Sequence, residues 1–346
     1  MLKFLFRLLL ASFIVAVAAV AVGGVAWTRI HEPYNGFAGE EQFVDIPAGS
    51  GSAEIRRRLV AGGVVRDEMV LRAALWVSGA ARRLKAGEYR FDRAMTPLEV
   101  VEKLERGEVH LRRITFREGL TIREMAAVFA EREFGTAEAF LAAAANPVPI
   151  ADLDPRAPDL EGYLFPDTYD LPRSVTAEVL VALMVDRFKA AYDDEARARA
   201  TEQGLTTRQV MTLASLVEKE TGQADERPLV AAVYRNRMRI GMPMQADPTV
   251  VYVLAKAGKY TGNIRKQDLQ LDSPYNTYRY PGLPPGPIAA PGKASIDATL
   301  APAAVKYLYF VSRNNGSHVF AETLAQHNAN VHEYQVLFFR RQRGVE

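Results

Sequence analysis

The chain has 346 residues, 49% of them hydrophobic, a formal net charge of +2 and no cysteine. That length is enough for about two domains with buried cores, and the near-neutral balance carries no electrostatic footprint for nucleic acid. The lack of cysteine excludes disulfides, thiolate metal sites and cysteine nucleophiles, and is compatible with export.

Residues 1–28 open with Lys3 and Arg7, followed by an uncharged run from Leu8 to Trp27. This is about the 20 residues that a helix needs to cross the hydrocarbon core of a bilayer. It reads as a single membrane span over residues 8–27, with the basic flank cytoplasmic and the remainder on the far side. A cleaved signal peptide is the competing reading, because the run is rich in Ala and Val; its length and the interfacial Trp27 favour an anchor. Residues 29–40 gather Pro33, Asn35, Gly36 and Gly39 without a period and read as a linker.

Residues 41–132 read as a small α+β module. Phe43–Pro47, Lys85–Phe91 and Arg113–Phe116 are strand-like. Thr96-Pro97 opens a helix that Gly107 closes, and Thr121-x-x-Glu124 is a capping box. These short strand-turn-helix units resemble LysM modules, which bind cell-wall glycans; a plain pedestal is the alternative. Residues 133–159, alanine-rich and then proline-rich, connect to a larger mixed α/β domain at 160–346. The aromatic segment Glu161–Tyr169 follows neither period, and reads either as the lining of a sugar groove or as a core plug.

Thr206-x-x-Gln209 is a further capping box, and Val210, Leu213, Ala214 and Val217 recur on one helical face. At 100° per residue Glu220 falls roughly 50° from the centre of that stripe and Glu218 roughly 110° away. Glu220 is therefore the carboxyl placed for desolvation, which keeps a proton near neutral pH as a general acid requires. A charged cluster closing an exposed helix end is the bland alternative. Asp225–Pro228 opens the next helix, where Asn236 and Arg237 share a face with Val230 and Val233 and need partners there. Asp247 before Pro248 reads as a helix cap. Ser273–Tyr278 and Gly282–Ile288 form a long proline-stiffened loop whose amides and phenols suit an oligosaccharide, or simply a surface connection. Asn314-Asn-Gly316 marks a hairpin between Tyr307–Val311 and His318–Ala321, and a last helix starts at Thr323. His318, His327 and His332 are too scattered for a zinc site, so neither a metal nor a cofactor is expected.

Leu216-Val-Glu-Lys-Glu-Thr221, Glu226-Arg227, Val233–Arg237, Met244–Thr249, Tyr275–Tyr278 and Gly282–Gly286 together resemble the YceG-like (MltG) endolytic murein transglycosylases, and the likeness covers nearly the whole chain. The resemblance implies an α+β protein with a transmembrane helix, a LysM-like module and a catalytic domain. It implies a cytoplasmic-membrane enzyme, with its catalytic domain on the periplasmic or extracellular side, that cuts nascent peptidoglycan strands internally. It also implies work beside peptidoglycan synthases as a terminator of glycan polymerisation, and places the catalytic role on Glu220. Gln245, Tyr275, Asn276, Tyr278 and Asn236 are candidate sugar-binding residues; Glu218, Glu226, Arg237 and Asp247 are candidate supporting residues. Two rivals stand beside this reading. A hydrolytic muramidase would use Asp247 or Glu226 as a second carboxylate. A non-catalytic wall-binding scaffold would keep its cellular role after Glu220→Gln.

Overall fold

The computed structural model describes residues 2–342, so Met1 at the head of the expected 1–28 segment and residues 343–346 at the end of the expected 160–346 domain lie outside the described residues. The fold is mixed α+β, with three two-stranded sheets among the described residues. Its contacts divide the chain into two units. One runs to Arg113 and takes back Asp170–Ser174, while the other holds Ile114–Tyr169 and the chain from Val175.

The first unit begins with α1 (Leu2–Ile30), whose stretch Ser12–Ile30 is long and apolar enough to cross a membrane. After it come β1 (Gln42–Ile46), α2 (Ser52–Ala61), α3 (Glu68–Ser78), β2 (Gly87–Phe91) and α4 (Pro97–Arg106). β1 and β2 are antiparallel with Val44 opposite Tyr89. Alternation turns Val44, Ile46, Tyr89 and Phe91 to the same core as Ile30, Leu59 and Leu104. Each such large side chain contributes about 1.5–3 kcal/mol on burial. The Thr96–Glu99 capping box starts α4, and Gly107, at φ +73°, ends it.

The chain passes between the units at β3 (Arg112–Thr115) and β4 (Thr168–Leu171), which pair with each other. The larger unit then builds α5 (Ile122–Glu131) and α6 (Ala137–Ala144). The sequence groups α5 with residues 41–132, but the structure places the boundary at Arg113. The reason is packing: Met125, Ala126 and Phe129 of α5 are buried, and the Phe129 ring lies 5.4 Å from that of Phe140 on α6.

There follow α7 (Ala177–Ala191), α8 (Asp194–Glu202), α9 (Thr207–Glu220), α10 (Arg227–Arg239), α11 (Asp247–Lys256) and α12 (Lys293–Leu300). A hairpin of β5 (Tyr309–Ser312) and β6 (His318–Ala321) leads to α13 (Leu324–Val331) and α14 (Phe338–Gln342). α9 is the central helix. Every residue from Val210 to Val217 is buried, and α10, α11 and α12 all pack on it. Its first and last turns emerge, and the last carries the two glutamates.

Of the two readings of Glu161–Tyr169, the structure selects the plug. Tyr163 and Leu164 are buried, and Tyr163 donates to Asp154, which the Arg208 guanidinium also grips at 2.7 and 2.8 Å. Gly162, at φ +82°, runs so close to Pro287 that a Cβ there would lie 2.3 Å from the proline ring.

Candidate active site

Glu220 is the last residue of α9, half-buried, at the edge of a cavity of about 500 Å³. Its Oε1 accepts a 2.6 Å hydrogen bond from the hydroxyl of Tyr234, a fully buried residue of α10. Burial pushes the carboxyl up to about 7; the Tyr234 bond pulls it down, Asp247 pushes it up, and His318 and Arg237 pull it down. The helix C-terminus beside it also disfavours a negative charge. A carboxyl poised there holds a proton at neutral pH and can take it back after giving it away.

The cavity is also lined by Arg237, Gln245, Asp247, Tyr278, Tyr309 and His318. Gln245 and Asp247 line it, while their neighbours Met244 and Ala246 are buried. Gln245 sits at φ +49°, a left-handed conformation rare outside glycine, and its side-chain amide has no partner among the described residues. The backbone is pinned there from the opposite loop: Ala246 N donates to Thr277 Oγ1 at 3.0 Å, and Thr249 Oγ1 lies 3.0 Å from the same oxygen.

Asp247 is not the side-chain cap read from the sequence. It is the first residue of α11, whose N-cap is Ala246, and its carboxylate accepts from the Tyr278 hydroxyl at 2.5 Å instead. The Tyr278 hydroxyl, rather than a backbone N–H of the first turn, is the partner this carboxylate meets. Arg237 donates to the carbonyls of Leu308 and Met244 and lies against the Tyr309 ring, so it fastens the hairpin to α10 while adding positive charge to the cavity wall.

Three expected sugar-binding residues have other duties. Asn236 gives its amide to Val305 O at 2.9 Å and Tyr307 O at 3.0 Å. Asn276 is fully buried, donating to Leu269 O and Leu271 O and accepting from Tyr278 N. Tyr275 packs on Tyr252, ring centroids 5.1 Å apart, and lines a different hollow. Backbone carbonyls engage the two asparagines, and a second ring packs on the tyrosine.

Glu218 and Glu226 are braces. Glu218 accepts from Gly292 N and Ser295 Oγ, capping α12 from α9. Glu226 accepts from His318 N and Nδ1, both at 2.7 Å, and from Thr221 at 3.0 Å. Burial acts to raise the Glu226 pKa, but the His318 ring, the His318 backbone and Thr221 outweigh it and hold the carboxyl below its usual value. With its oxygens so occupied, Glu226 is unsuited to be the second carboxylate of a hydrolase.

Sequence reasoning missed Tyr234, although its spacing from Val230 by one turn puts it on the buried face. It also missed Tyr309, His318 and His327 as cavity residues, because the hairpin and α13 bring them in from more than eighty residues away. A second carboxyl, Glu161, is pushed up to about 8 by burial beside a smaller, mostly apolar cavity of about 200 Å³. Its oxygens are committed to Ile122 N and the Tyr252 hydroxyl. Glu220 differs: its Oε2 has no hydrogen-bond partner among the described residues, and the residue lines the larger, polar cavity. No group of side chains among the described residues is arranged to hold a metal ion.

The description YceG-like family matches residues 44–333. The chain is 32% identical over 307 residues to the endolytic murein transglycosylase of Bacillus subtilis (strain 168), covering 84% of both chains. It is 29% identical over 359 aligned positions to the endolytic murein transglycosylase of Streptococcus pneumoniae serotype 2, covering 93% of this chain and 64% of that one. The crystal structure of a YceG-like protein from Listeria monocytogenes superposes with a TM-score of 0.58 at 30% identity, over 84% of this chain and 99% of that one.

Proposed function

The chain belongs to the YceG-like family, and from that premise we propose that it is an endolytic lytic transglycosylase of peptidoglycan with Glu220 as its acid and base. The observation that carries this reading is a single protonated carboxyl, with one oxygen free, on a polar cavity.

In this mechanism Glu220 gives its proton to the oxygen joining N-acetylmuramic acid to N-acetylglucosamine. The bond from that oxygen to the muramic C1 breaks, and positive charge develops on the ring. The Glu220 carboxylate then removes the proton from the C6 hydroxyl of the same sugar. The C6 oxygen bonds to C1, giving a 1,6-anhydro end and restoring the acid. Attack from within one sugar is favoured entropically by several kcal/mol, on the order seen for tethered nucleophiles. Asp247 adds negative charge to the cavity, which suits an oxocarbenium-like centre. The Gln245 amide and the Tyr278 ring are positioned for N-acetyl and sugar contacts.

α1 would anchor the protein in the cytoplasmic membrane through residues 8–27, with both folded units on the outer side. The smaller unit would act as a LysM-like glycan-holding module. Nascent strands would be cut beside their synthases, ending polymerisation. A hydrolytic variant of this reading rests on Asp247, the one other carboxylate on the cavity.

Digestion of un-cross-linked glycan strands by the full chain and by Glu220→Gln, read by mass spectrometry, tests the proposal. Anhydro-ended fragments from the first and none from the second support it. Reducing muramic ends overturn it in favour of hydrolysis.

A further inference from the structure

α3 is apolar on two sides. Leu71, Ala74 and Leu75 face the core of the smaller unit, as a packed helix requires. The opposite stripe carries Met69, Arg72 and Trp76 at i, i+3 and i+7, with Trp76 84% and Met69 73% exposed. Val77 beside it is also exposed. A helix facing water ordinarily shows a polar outer side, and an exposed tryptophan flanked by apolar neighbours marks an interaction surface.

The position of α3 says what covers it. α1 packs on α3, and its Ile30 is part of the core that α3 helps to build. Ala26, still inside the uncharged run that ends at Trp27, is already partly buried. The folded unit therefore begins at the level where the apolar helix ends. Arg66, just before α3, reaches Glu32 at 3.3 Å, and Glu32 also binds Arg29 on α1 at 3.2 Å. This ties the start of α3 to the end of α1. Arg72 and Arg82 have no hydrogen bond or ion pair among the described residues.

We infer that α3 lies on the bilayer that α1 crosses, with Trp76 and Met69 at the boundary between headgroups and acyl chains and Arg72 and Arg82 on lipid phosphates. Tryptophan prefers that boundary, and arginine stems allow the charge to reach the headgroups. The inference rests on the reading of α1 as a membrane span.

The chain has two tryptophans, Trp27 and Trp76, so each can be observed alone. The full chain with Trp27→Phe reports Trp76, and with Trp76→Phe it reports Trp27, in vesicles whose lipids carry bromine high on the acyl chain. The expected result is that bromine quenches both residues and that aqueous iodide quenches Trp76 weakly. Bromine quenching of Trp27 with iodide quenching of Trp76 overturns the inference and leaves the anchor intact. A Trp76 shielded from both quenchers also overturns it, in favour of a protein partner or a second copy. If bromine reaches neither residue, the anchor itself falls and the inference with it.

Discussion

The Tyr234 hydroxyl takes one oxygen of Glu220 at 2.6 Å and leaves the other to the cavity. The carboxyl is thereby fixed in direction, and in the proposed mechanism Oε2 is the atom that would exchange the proton with a sugar.

Tyr234→Phe should therefore cost activity through lost orientation, by up to roughly 10²-fold. It also removes a hydrogen bond that pulls the Glu220 pKa down. The acid then keeps its proton to higher pH, and the basic limb of the kcat profile moves upward. A rate loss with an unmoved limb would show that Tyr234 supports only the fold.

Asp247→Asn should move the same limb the other way, because Asp247 pushes Glu220 up. Anhydro ends should persist as the product. Loss of activity together with loss of reducing-end products would instead identify Asp247 as the base of a hydrolase, and end analysis across the pH profile reads both outcomes.

Glu220→Gln should abolish turnover by about 10²–10⁴-fold, the usual value of a general acid, while stabilising the protein at higher pH. The folded pKa, about 7, lies above the ordinary 4.5. Between those values the native state holds a proton that the unfolded chain releases, so native stability falls as pH rises through the window. The variant has no such loss. Urea denaturation at pH 4.5 and pH 7.5 should show the variant gaining on the wild type by an amount on the order of 1–3 kcal/mol.

Glu226→Gln should do the opposite. The Glu226 carboxyl lies below its usual value, so its contribution is present at neutral pH and fades as acid protonates it. The variant should lose about 1–3 kcal/mol at pH 7, and the gap to the wild type should close toward pH 3. An equal loss at both values would mean that shape, rather than charge, matters there.

Much of the architecture is legible locally. The capping boxes read at Thr121 and Thr206 are both formed, because a cap needs only residues three apart. The half-buried position of Glu220 at the end of α9 is legible from the helical period for the same reason, as is the hairpin from its Asn-Gly turn. α12 was not: its N-terminus is satisfied by Glu218, 74 residues earlier. Asn236 and Asn276 have the chemistry of sugar ligands, but carbonyls of neighbouring loops claim them. Residue type announces a need for partners, and only the tertiary fold decides who meets it.

The return of Asp170–Ser174 to the first unit bears on biogenesis. Arg113 meets Asp170 through a two-pronged bond of 2.8 and 3.1 Å, so the unit nearest the N-terminus lacks one of its own pieces until residue 174 has been synthesised. A nascent chain paused after Arg113 would hold the earlier strands and helices without that closing segment. The smaller unit is first in sequence, yet it cannot close until a stretch of the larger unit has been made between its two pieces.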